Sequence, residues 1–265
     1  MSNNSWFPEY VPVAEKRRLA QKSIEKLKKK NPDILPVIIT GRNIATTWWG
    51  KSWNDNLESY SDYSNRIGRG RSYVRNGAVL DLKITQGNIS ALVQGSSSKP
   101  YKVDISIKPL PKDVWKSITM ECTGKIDSLQ ELIEGKFPKA LSDLFTAKGK
   151  GLFPAPKEIT LNCSCPDWAN MCKHVAAVLY GIGARLDNDP SLFFVLRNVN
   201  IDDLISEAIN KKSESLLGKS KTKSRRVIDD TDISGMFGIE LESESRDISD
   251  EAKVNKKTKK AKKAK

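Results

Sequence analysis

One histidine and four cysteines in 265 residues leave little material for metal binding or nucleophilic chemistry. A disulfide-stapled secreted domain needs more cysteines, more evenly spread. No apolar run approaches the roughly 18 residues of a membrane helix. Residues 1–11 lack the basic stretch and following apolar stretch of a secretory signal. The expected setting is therefore cytoplasmic, in cytosol or nucleoid, with reduced thiols and no membrane. A Walker loop, a nucleophile elbow and a sugar-hydrolase carboxylate pair are also missing, and Gly68-Arg69-Gly70 alone is too short for a phosphate loop. No repeat at solenoid periods is present. These absences argue against an enzyme.

One sign of charge is in excess. The formal net charge is +13 and the pI about 9.5, which invites a nucleic-acid reading. Location changes its weight. Residues 31–210 hold 21 basic and 19 acidic residues, so the body is nearly neutral. The excess lies in the first helix candidate and in the C-terminal tail. A mean hydropathy of −0.49 with 38% apolar residues supports a core for part of the chain only.

The patterning predicts an α+β body: an antiparallel β-meander with packed helices and a small zinc-finger module. Residues 1–40 form an N-terminal extension with a basic helix over Val13–Lys30, stopped by Asn31-Pro32. The body spans 41–148. Thr46 or Thr47 caps a helix to about Tyr60, with Trp49, Trp53 and Leu57 at helical spacing as core anchors. Residues 71–108 read as the meander. Asn76-Gly77 makes the first hairpin turn, Gln86-Gly87-Asn88 the second, and Tyr101, Val103, Ile105 and Ile107 alternate inward. Short helices follow over 113–120, 126–134 and 137–147. A zinc-finger region with its following helices occupies 149–210. Residues 211–265 read as a disordered charged tail: seven basic residues to one acidic in 211–226, nine acidic to one basic in 227–251, then eight lysines.

The chemistry concentrates in twelve positions. Cys163, Cys165, Cys172 and His174 form C-x-C, six intervening residues, then C-x-H. Four soft or borderline ligands without a carboxylate suit a tetrahedral Zn²⁺. Alternate residues of a strand share a face, so Cys163 and Cys165 point into one site. Residues two apart within a helix diverge by about 200°. Cys172 is therefore expected just before a helix and His174 in its first turn. A redox pair fits poorly, because C-x-x-C is missing. Catalytic zinc keeps an open position, and four ligands fill the shell. Cys122 reads as a buried structural thiol.

Cys163-Ser-Cys165, Cys172-Lys-His174 and the helix after them resemble the SWIM zinc finger. Thr47-Trp48-Trp49-Gly50-Lys51-Ser52-Trp53, Gly68-Arg69-Gly70-Arg71, Val103 to Leu110 and Cys165-Pro-Asp-Trp-Ala-Asn resemble prokaryotic stand-alone SWIM proteins, often encoded beside SWI/SNF-type helicases. The resemblance implies DNA binding or protein–protein interaction rather than catalysis, with such a helicase as a partner.

Two further stretches are candidates for binding. Arg66, Arg69, Arg71 and Arg75 interleave with Tyr63 and Tyr73. Read as a loop, with Gly68 and Gly70 allowing close backbone approach, they suit nucleic acid; pairing with Asp55, Glu58 and Asp62 is the structural alternative. In the acidic block, Ile233, Met236, Phe237 and Ile239 form an apolar island that reads as a protein-docking motif. The terminal lysines suit salt-sensitive phosphate attraction. The sequence thus points to a zinc-stabilised accessory protein that binds protein or nucleic acid, with direct non-specific DNA or RNA binding as the alternative.

Overall fold

The computed structural model describes residues 11–60, 64–122 and 139–221. The helix expected over 126–134, Tyr63 and the docking island at Ile233–Ile239 lie outside them. The chain divides into two compact units, residues 1–214 and 215–265; the fold below is that of the first.

The architecture is α+β. Three helices precede the sheet: α1 (Val13–Lys30), α2 (Trp48–Glu58) and α3 (Ser64–Arg75). Strands β1 (Val79–Thr85), β2 (Asn88–Val93) and β3 (Tyr101–Ile107) form an antiparallel meander. After α4 (Lys112–Cys122) and the short α5 (Ser142–Thr146), strand β4 (Ile159–Cys163) pairs with β3. The sheet order is β1-β2-β3-β4. Helices α6 (Lys173–Asn188), α7 (Leu192–Arg197) and α8 (Ile201–Lys221) complete the described chain.

Local signals explain most elements. Thr47 caps α2 by accepting the backbone N–H of Gly50 at 3.1 Å. Trp53 is 1% exposed, donates its indole N–H to the Leu179 carbonyl at 3.0 Å and meets Phe153 and Phe193 edge-on. In β3, Val103, Ile105 and Ile107 are buried while Lys102, Asp104 and Ser106 face water. Ile89, Ala91 and Val93 of β2 are buried likewise. This apolar face rests on α6, which touches all four strands and packs against α2 and α3 on its other side. An inner helix between two layers must be apolar all round. From His174 to Leu186, Arg185 is the one residue of α6 that is not buried.

Three expectations are corrected. The residues from Ser64 to Arg75 form a helix, not a loop and first strand. Asn76-Gly77 ends that helix instead of turning a hairpin: Gly77 has φ +70°, and its N–H bonds to the Val74 carbonyl. Local turn chemistry is the same at a helix stop and at a hairpin, so the dipeptide alone did not distinguish them. The last helix runs on to Lys221, eleven residues past the expected end at Asn210. Helix propensity of Lys, Ser, Glu and Leu outlasts the buried face, whose last described core residue is Leu204.

The sheet edge at β1 is covered. Leu82 N–H bonds to the Leu35 carbonyl, Val37 N–H to the Val79 carbonyl, and Leu35 N–H to the buried Asp81 carboxylate at 2.8 Å. The segment before α2 thus satisfies backbone groups that an open edge leaves bare. Arg197, 2% exposed, ties the end of β3 to the start of β4 by donating to the Lys108 carbonyl and to Glu158.

Candidate metal centre

Cys163 is the last residue of β4, opposite Val103. Ser164 continues the pairing for one step: its N–H bonds to the Lys102 carbonyl, and its hydroxyl accepts the Lys102 N–H. This extended geometry holds Cys163 and Cys165 on one side. The chain then runs through Pro166 to Cys172, the N-cap of α6, and His174 is the second residue of the helix.

The four ligand atoms lie within 4.8 Å of one another. His174 Nδ1 is 3.9 Å from the Sγ of both Cys163 and Cys172. Bond lengths of about 2.3 Å to sulfur and about 2.0–2.1 Å to nitrogen put neighbouring ligand atoms about 3.5–3.8 Å apart in a tetrahedron. The donor set and its spacing fit Zn²⁺, held by Cys163, Cys165, Cys172 and His174 Nδ1. No carboxylate oxygen joins the cluster found among the described residues.

Proton chemistry favours the same conclusion. Three thiols this close cannot all ionise unaided. The hydrogen bond from Cys163, then those from His174 and the Val175 N–H, pull Cys172 down to about 4 despite its burial. The same bond to Cys172, reinforced by burial, pushes Cys163 far up. Burial raises Cys165. Without a metal, one thiolate is stabilised at the helix N-terminus and two protons stay. A dication is what allows three thiolates in one site.

The surroundings fix the imidazole. Tyr101 lies against it with centroids 4.5 Å apart, and Tyr73 meets it edge-on at 5.4 Å. A methyl on Gly95 would stand 2.4 Å from the Tyr101 ring and 3.0 Å from His174 Nε2. A side chain at this position would have to push the Tyr101 ring aside and crowd the imidazole. Nothing in the local sequence distinguishes Gly95 from an ordinary loop glycine; the contact partners come from β3 and α6.

Residues 149–181 match the SWIM zinc finger. The match covers the strand, the ligand loop and the first half of α6. Over 164 residues the chain is 37% identical to the uncharacterized protein Rv2102 of Mycobacterium tuberculosis, covering 62% of this chain and 59% of that protein. The chain thus spans about three fifths of the length of this curated relative. No solved structure gives a significant match.

The ligand loop of the SWIM segment is pinned at Asp167. Its carboxylate meets Arg66 at 3.1 Å and accepts the Ala169 N–H. Ala169 and Met171 are buried, while Trp168, just before them, is 77% exposed. The other arginines go elsewhere. Arg71 pairs with Glu58 and donates to the Tyr180 hydroxyl, which itself donates to Glu58. Burial, then the bond to Glu58, raises the Tyr180 pKa and keeps that proton in place. Arg75 donates to the Arg42 carbonyl. Arg69 is exposed on α3.

The four arginines therefore do not line one loop. Gly70 serves helix packing: an added Cβ would lie 2.4 Å from the Ala176 Cβ on α6. Of the expected acidic partners Glu58 is used, and Asp167, remote in sequence, takes Arg66. Near the ligands, Lys173 extends over the Tyr73 ring, 5.9 Å from its centroid. Burial first, and the Arg69 charge second, lower its pKa. Cys122 is fully buried in the core. No described helix is long and apolar enough to cross a membrane.

Proposed function

We propose that the chain is a non-enzymatic accessory protein whose zinc-stabilised SWIM segment binds nucleic acid. The observation that carries this is the closed four-ligand cluster joining β4 to the inner helix α6, with a pinned loop that presents Trp168 outward. Four protein ligands leave no position for a substrate, so the metal's role is to hold the loop and helix together. Reduced cysteines suit a cytoplasmic setting. The resemblance to stand-alone SWIM proteins supports a SWI/SNF-type helicase as the partner with which the chain acts on DNA.

A protein-binding role is the second reading. It is favoured by the exposed Ile38, Leu35 and Leu19, which are 73, 50 and 40% exposed, and by the island at Ile233, Met236, Phe237 and Ile239 in the sequence. Co-purification from extract with and without nuclease separates the two. Partners lost on nuclease treatment, together with direct binding of the purified zinc-loaded chain to oligonucleotides, uphold the nucleic-acid reading. Partners retained without any oligonucleotide binding overturn it in favour of the protein reading.

A further inference from the structure

Trp168 follows Asp167, whose charge meets Arg66 and also acts on Lys173, which in turn feels Arg69. The loop from Cys165 to Cys172 is anchored at both ends by ligands and in the middle by Asp167 on Arg66. A tryptophan 77% exposed at the centre of so restrained a segment is preorganised for contact. Arg69 lies one turn beyond Arg66 on α3 and is exposed. Lys173 follows Cys172 directly and covers Tyr73. Lys102 is exposed and hydrogen-bonded through its backbone to Ser164, between two ligands.

The charge at this end is positive. Arg66, Arg69, Lys102 and Lys173 stand against Asp167 and a cluster of net charge about −1 once a dication meets three thiolates. An exposed tryptophan on a loop whose neighbouring elements carry cations matches a base with its adjacent phosphates. Duplex grooves are a poorer match. The helix that carries most arginines, α3, packs along α6, and two of its guanidinium groups are engaged by Glu58 and Asp167. An inserted recognition helix needs a free basic face.

Resting on the nucleic-acid reading above, we infer that Trp168 is a stacking platform for a base of single-stranded nucleic acid, with Arg69 and Lys173 taking the adjacent phosphates. A strand offers unpaired bases; a duplex hides them. Alanine in place of a stacking aromatic weakens single-strand binding by roughly 5- to 100-fold. A phenylalanine keeps a π face.

The test uses the full zinc-loaded chain, labelled 12-mers of oligo(dT) and oligo(rU), and a 12-base-pair duplex, read by fluorescence anisotropy. Trp168→Ala is expected to weaken both single strands about tenfold, with Trp168→Phe within about threefold of wild type. Duplex affinity, zinc content and thermal midpoint stay at wild-type values. Single-strand binding by Trp168→Ala equal to wild type overturns the stacking assignment while leaving the nucleic-acid reading intact. An equal loss on duplex also overturns it. If Trp168→Ala instead loses a protein partner from extract while oligonucleotide affinity holds, the loop is a protein interface. Absence of oligonucleotide binding by the wild type removes both the reading and the platform.

Discussion

The two ends of helix α6 are fastened by different chemistry. At its start, Cys172 and His174 join Cys163 and Cys165 in a cluster whose thiols cannot all ionise without a metal. At its end, the Asp187 carboxylate accepts the backbone N–H and the hydroxyl of both Thr46 and Thr47. The second fastening is supplied entirely by the chain. The first depends on a ligand from solution, so it inherits that ligand's sensitivity to chelators and acid. The contrast teaches that the inner helix is held by backbone-directed hydrogen bonds on one side and by metal coordination on the other, and the two ends can be undone separately.

The largest effect is expected from the metal end. Cys172→Ser should abolish stoichiometric zinc and cost about 4 kcal/mol or more, because metal affinity is part of the folding free energy. In a domain of this size that lowers the thermal midpoint by roughly 8–16 °C. Elemental analysis and a melting curve check it, and a zinc-free variant that melts with the wild type would break the comparison. Gly95→Ala should follow, at about 1–3 kcal/mol with weakened zinc retention, since its methyl displaces the Tyr101 ring and His174. Competition with a chelator measures it.

Asp187→Ala should cost about 1–3 kcal/mol by leaving donors of Thr46 and Thr47 unpaired. Zinc content should not change; loss of zinc from this variant would show that the ends are coupled. Acidification should weaken the metal end. Cys163 and Cys165 hold their protons more tightly than an ordinary thiol and must release them on binding, so zinc affinity falls as pH falls. Zinc titrations across pH 5–8, with the proton release measured in two buffers, check the direction. The smallest effect is expected from Arg69→Ala, within about 0.5 kcal/mol, because the side chain is exposed. Arg71→Ala should be larger, about 1 kcal/mol, since it removes the guanidinium that Glu58 and Tyr180 share. Paired melting curves rank the two.

Much of the site was legible before any coordinates. Metal ligands are chosen for their donor atoms, and their spacing follows from strand and helix periods, so Cys163, Cys165, Cys172 and His174 stand out by residue type alone. The strand alternation from Tyr101 to Ile107 and the basic helix Val13–Lys30 are likewise local. Trp168 was visible only as part of a family-like stretch, because exposure is not written in a residue's type. Asp187 carries no local signal, since Thr47 lies 140 positions away, and Gly95 is fixed by Tyr101 together with His174, 79 positions on.

Donor chemistry and short-range periodicity made the four ligands and most of the elements readable from the sequence alone, but not the helix over Ser64–Arg75. What the arginines do follows from packing. Read as a loop, the stretch from Arg66 to Arg75 suits nucleic acid. Its fate depends on whether helix formation brings Glu58, Asp167 and Tyr180 within reach, and those partners lie 13, 101 and 109 residues from the arginines they meet. Charge pairing over such separations is set by how α3 packs on α6, where Gly70 meets Ala176. A one-dimensional pattern of charges holds no record of that contact.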